Sequence, residues 1–134
     1  MNRKRSRETA LELTFQMMIN KESSEETMEN FIENTDYDIS ELDLDYIKLI
    51  LKGIDSNKEK LDTEIEKYMV NWKIQRISRI DHAILRIGCY EILLLEDVPY
   101  KVAINEALEL TRKYSDEKSI SFINGILDNI NKNK

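Results

Sequence analysis

Residues 77–114 read ISRIDHAILRIGCYEILLLEDVPYKVAINEALELTRKY, and the position of the chain's only proline within them decides the fold class. Ile80, Ile84 and Ile87 recur at intervals of four and three, the spacing that puts side chains on one face of an α-helix. Ser78, followed three residues later by Asp81, reads as an N-cap with a reciprocating acid at the start of that helix. The pattern fades near Leu95. Pro99 has no backbone N–H to donate and sits between two helical patterns, so it marks a boundary. A second helix then runs from about Tyr100 to Tyr114, with Val102, Ile104, Ala107, Leu108 and Leu110 on its apolar face.

The same period extends outward in both directions. Ala10, Leu13, Met17 and Leu11, Phe15, Met18 predict a first helix from about Ser6 to Ile19. Ser23 with Glu26 is a capping-box pattern opening a second, with Met28, Phe31 and Ile32 behind it. NTDYDIS breaks the pattern, after which Leu44, Ile47, Leu51 and Ile54 predict a third helix, and Leu61, Ile65, Tyr68 and Met69 a fourth. NWKIQRIS reads as a short connection and SDEKS as a turn, before Phe122, Ile123, Ile126, Leu127 and Ile130 close the chain with a last helix. Gly53, Gly88 and Gly125 all fall inside expected helices, where each costs about 1 kcal/mol relative to Ala. Close approach of two helices at Gly88 and Gly125 would offset that cost; a misplaced helix end is the alternative. The expectation is an all-α, compact single domain over residues 1–134 with six or seven helices.

Composition narrows the function. The 134 residues are 41% hydrophobic and 34% charged, a balance that fits a soluble globular chain. The longest apolar run, in EILLLEDV, is broken by charge well short of the roughly 20 residues a membrane span needs. ETALELTFQMMIN carries Glu8 and Glu12 and lacks a small-residue cleavage site, so it does not read as a signal peptide. With Cys89 as the only cysteine, no internal disulfide can form, and a cytoplasmic location is expected. The net charge is -6, yet NRKRSR at residues 2–7 places Arg3, Lys4, Arg5 and Arg7 before any acid. Residues 20–67 hold fifteen acids against six bases. An anionic partner would be repelled there and drawn to the ends of the chain.

Catalytic signals are sparse. His82 and Cys89 are the only His and Cys, too few soft ligands for a zinc site, and no glycine-rich phosphate loop is present. A hydrolase built on His82 and Asp81 lacks a nucleophile in any recognisable motif. Glu106 and Glu109 read as part of a solvated face. No metal, no cofactor and no enzymatic activity are expected. The basic arm at residues 1–7, together with Lys101, Arg112, Lys113 and Lys118, is the remaining physical signal. It is either a solvated tail or a phosphate contact, for which Tyr100 and Phe122 could supply planes for bases to stack on.

The chain resembles the NusB family of bacterial transcription antitermination factors. The resemblance is carried by the basic start leading into RETALELTFQ, then RISRIDHAILRIGCYEIL, then the proline-led VPYKVAINEALEL, then FINGILD, in the family's order. It implies two small helical bundles packed together and no catalysis. It also implies binding to boxA RNA of nascent ribosomal RNA as a heterodimer with the ribosomal protein NusE, within the RNA polymerase antitermination complex. Carried over by position, Arg3, Lys4, Arg5, Arg7, Tyr100, Lys101 and Lys118 would contact RNA, with the arm lying beside Tyr100 and Lys101. Phe15, Asp81 and Phe122 would contact the protein partner, while Asn105 and Glu106 would hold helices together. The turn YSDEKS departs from the family's commonest pattern and makes Lys118 the least secure of these. Monomer and homodimer both remain open for the unbound protein, and a helical protein–protein scaffold without RNA contact is the rival reading. The same helical domain fused to an RNA methyltransferase is not expected in a chain of this length.

Overall fold

The computed structural model describes residues 1–134, which form six α-helices: α1 (Arg3–Asn20), α2 (Ser24–Asn34), α3 (Leu44–Glu66), α4 (Arg79–Leu94), α5 (Tyr100–Tyr114) and α6 (Glu117–Lys132). Single turns of 3-10 helix occur at Ile39–Glu41 and Ile74–Arg76, and there is no strand. The all-helical expectation holds. No helix is long and apolar enough to cross a membrane. The chain divides into two compact units, Met1–Ser56 and Asn57–Lys134.

In the first unit, α1 packs on α2. Ala10, Leu11, Leu13 and Met17 of α1 are buried, as are Met28 of α2 and Ile47, Ile50, Leu51 and Ile54 of α3. The capping box at α2 forms in both directions: Ser23 Oγ accepts from the Glu26 N–H at 3.1 Å, and Glu26 Oε1 accepts from the Ser23 N–H at 3.4 Å. Two helices are expected between Leu44 and Met69, and the span Leu44–Glu66 does consist of two helical stretches that meet at a kink, where Asn57 leaves the helical region (φ -124°, ψ 19°). No proline or glycine sits at that point to mark it in the sequence.

In the second unit, α4, α5 and α6 pack pairwise on one another. Every α4 residue from Ala83 to Ile92 is buried. A Cβ built on Gly88 would lie 2.8 Å from Leu127 Cδ1 of α6, closer than two carbon atoms can approach, so the glycine is what allows this contact. Gly125 behaves differently, since a Cβ there would meet nothing within 4 Å. The expected close approach is therefore real at Gly88 and absent at Gly125. Ser78 caps α4 by accepting from the Asp81 N–H at 3.1 Å. The reciprocal half expected of Asp81 is replaced by other bonds: its Oδ1 and Oδ2 accept from the Ser115 and Ser119 hydroxyls, both at 2.6 Å. Pro99 stands at the N-cap of α5, where expected.

The two glycines give opposite expectations for one substitution. Gly88→Ala should lower stability by about 1–3 kcal/mol, because Leu127 is fully buried and has little room to yield. Gly125→Ala should raise stability by about 0.5–1 kcal/mol through helix propensity alone. Urea unfolding of the two variants checks both signs, and equal effects would show that the Leu127 contact does not decide the matter.

Candidate nucleic-acid interface

The basic start is not a free arm. Helix α1 begins at Arg3 rather than near Ser6, because Asn2 caps it by accepting from the Arg5 N–H at 2.9 Å. The Asn2 N–H donates to Glu41 O at 2.7 Å. Ser6 Oγ donates to Asn2 O at 2.8 Å and accepts from the Asp43 N–H at the same distance. The first turn of α1 therefore carries Arg3, Lys4 and Arg5 with no acid among them. A helix N-terminus already has the positive end of the peptide dipole, and each cation there works against it by about 0.3–1 kcal/mol. The turn is thus a concentrated positive pole fixed within its unit.

The four cations divide by their surroundings. Arg3 and Lys4 are exposed. Arg5 reaches back along the helix to Glu8 Oε1 at 3.5 Å and Glu12 Oε2 at 3.3 Å, and its guanidinium lies 4.1 Å from the centre of the Tyr37 ring. Arg7 lies over Tyr46 at 5.4 Å. Sequence reading missed both aromatic partners, which arrive from residues far along the chain. Phe15 is half-buried on the same helix.

The second unit holds the remaining expected residues. Tyr100 and Lys101 are exposed in the first turn of α5, and Lys118 is exposed in the first turn of α6. Phe122 is half-buried on α6 and Asn105 is exposed on α5. Asp81 is only 7% exposed, and its two serine bonds hold the turn between α5 and α6 against the start of α4. The structure thus gathers Arg3, Lys4, Arg5, Arg7 and Phe15 on α1, and Asp81, Tyr100, Lys101, Asn105, Lys118 and Phe122 in the second unit.

The ionisable interior of the second unit is structural. Asp62 Oδ1 lies 2.7 Å from His82 Nε2, and the carboxylate receives Arg86 Nε at 2.9 Å and Nη2 at 2.7 Å, a two-pronged pair. Partial burial by itself would raise the Asp62 pKa, but the Arg86 hydrogen bonds, followed by the His82 contact, overcome it and hold the carboxyl at about 2. His82 therefore pairs with Asp62, rather than with the neighbouring Asp81. Burial, reinforced by the charges of Glu64 and Asp62, pushes the Cys89 thiol up to about 12, which keeps it protonated and poorly nucleophilic.

Fold and site together define an all-helical protein that displays cations in the opening turns of α1, α5 and α6 and commits Arg86 and Asp81 to bonds between helices. The chain belongs to the NusB family, whose model matches residues 4–132. It is 58% identical over 130 residues to the transcription antitermination protein NusB of Clostridium botulinum (strain Alaska E43 / Type E3), covering 97% of this chain and 98% of that protein. The protein of the same name from Clostridium perfringens (strain SM101 / Type A) is 57% identical over 133 residues, covering 99% of this chain and 98% of that one. Among solved structures, T. maritima NusB superimposes with a TM-score of 0.85 at 32% identity, covering 98% of this chain and 92% of that chain. A chain from a crystal structure of antitermination factors NusB and NusE in complex with dsRNA matches with a TM-score of 0.82 at 26% identity, covering all of both chains.

The Asp62 cluster makes a prediction about pH. A carboxyl with a depressed folded pKa adds stability above its unfolded pKa of about 3.9, and loses that contribution as pH falls toward the folded value. Asp62→Asn should cost about 1–2 kcal/mol at neutral pH, and the gap from the parent should close between about pH 4 and pH 2. Thermal melts of both proteins across that range test it, and a gap independent of pH would remove Asp62 from the account.

Proposed function

We propose that this protein is a transcription antitermination factor that binds RNA together with NusE. The observation that carries this reading is the fixed positive pole at the start of α1, in a chain that belongs to the NusB family. Cations crowded with the helix dipole in the first turn of α1 reduce stability, and a polyanion is the partner that returns it. In the second unit Tyr100 offers an exposed ring beside Lys101, and Lys118 adds a further cation. Phosphate contacts hold an RNA strand, while a ring that stacks on a base can contribute to sequence choice.

The finer reading is that the RNA is boxA of a nascent ribosomal RNA transcript, single-stranded when bound. On this reading the protein works in the bacterial cytoplasm within the RNA polymerase antitermination complex. Phe15 and Phe122, both half-buried, contribute apolar surface to the protein partner. Asp81 joins that surface and fixes its shape through Ser115 and Ser119.

A gel-shift titration of boxA-like RNA with this protein, with NusE and with both tests the reading. The expected result is weak, salt-sensitive binding alone and markedly tighter binding with both proteins. Replacing Arg3 and Lys4 with Gln should reduce the slope of log affinity against log salt by about 0.7 for each contact. Both are exposed and work against the helix dipole, so the melting temperature should rise slightly rather than fall. Arg5→Gln should instead lower it, because Glu8 and Glu12 lose their partner. No shift with either protein or both would leave the helical scaffold as the surviving reading.

A further inference from the structure

The connection between α3 and α4 is acid-free from Lys67 to Ile80, although the chain as a whole is acidic. It holds Lys67, Lys73, Arg76 and Arg79, of which Lys67 pairs with Glu64 at 2.8 Å. Lys73, Arg76 and Arg79 are exposed, with no ion pair to an acid. Between them stands Trp72, the only tryptophan in the protein, which is 55% exposed, next to Val70 at 77%. An indole is usually covered in a folded protein, so its position here is unusual for a connecting segment.

The segment is held rather than loose. Met69 and Ile74 are buried on either side of it. Asn71 takes a left-handed conformation (φ 65°), which asparagine tolerates better than most residues. Glu66 Oε2 accepts from the Ile74 N–H at 3.0 Å, and the Arg76 N–H donates to Lys73 O at 2.8 Å. These bonds raise Trp72 on a turn and place it in a recess of about 370 Å³ lined by Asn71, Trp72, Lys73 and Arg76.

We infer that this recess is a nucleotide-binding contact for single-stranded RNA, in which a base stacks on Trp72 and the flanking phosphates meet Lys73 and Arg76. An aromatic plane between cations is the chemistry that single strands require, and the Asn71 amide can both donate to and accept from a base edge. An apolar protein partner would find the exposed Trp72 and Val70 ringed by unpaired cations that it would have to desolvate. A polyanion gains from those same charges. The inference rests on the RNA-binding reading above and adds a contact made by different residues.

Trp72 reports on its own site. The full chain is titrated with a single-stranded RNA of about 12 nucleotides, a length within the range such surfaces cover. Tryptophan emission is followed with unlabelled RNA and corrected with free tryptophan amide, and binding is followed separately by anisotropy of the fluorescein-labelled strand. Quenching should saturate together with the anisotropy. Trp72→Leu should weaken binding about tenfold, with Trp72→Phe restoring much of it and the melting temperatures unchanged. Changing Lys73 and Arg76 to Gln should lower the salt slope by about 0.7 each. RNA bound by anisotropy with unchanged emission, and with full affinity in Trp72→Leu, would overturn the inference and leave the RNA reading intact. Quenching by NusE alone and not by RNA would assign the surface to protein and overturn it as well. No anisotropy change under any condition, with or without NusE, would end the RNA reading and this inference with it.

Discussion

A helix buried on nearly all sides has to accommodate every charge it carries, and α4 sets that condition for the second unit. Gly88 lets α6 come close enough for Leu127 to reach the α4 backbone. Arg86, at 8% exposure, would be an uncompensated charge without Asp62, and Asp81 would be one without Ser115 and Ser119. The polar bonds do not supply the main driving force, which comes from burying Ile84, Leu85, Ile87 and Ile92 with their neighbours on α5 and α6. They fix how the helices meet. The starts of α5 and α6, where Tyr100, Lys101 and Lys118 are displayed, follow from that arrangement.

Exposed and buried cations serve different ends in this protein. Arg5 and Arg86 both have acidic partners, which leaves their charge largely spent within the fold. Arg3, Lys4, Lys101 and Lys118 are at the surface in the opening turns of their helices, where the peptide dipole adds to their field. In an acidic chain, cations displayed in turns that hold few acids present an uneven field to a polyanion.

Much of the fold could be read from local pattern. The Ser23 capping box, the Ser78 cap and the Pro99 boundary are encoded within three or four residues and appear where the spacing puts them. The break between the two helical stretches of α3 was legible from the apolar spacing on either side, but its place at Asn57 was not, because no proline or glycine marks it. The early start of α1 is also encoded locally, because Asn2 is a favoured capping residue immediately before Arg3. The Tyr37 and Tyr46 contacts, the two serines on Asp81 and the exposure of Trp72 depend on residues brought together only by folding, so no local spacing announces them. The family's motifs supplied the candidate residues, and the structure shows which of them are exposed and which are committed internally.

Cys89 carries a consequence beyond packing. Oxidation of a cysteine begins with its thiolate, and this thiol is buried with its acid dissociation moved up to about 12. The protein's sole cysteine is therefore shielded from peroxide, glutathione and disulfide exchange while the chain is folded. A changing cellular redox state has no thiol handle by which to switch this protein. A cysteine introduced at an exposed surface position would accept a label selectively, with the native thiol left in place.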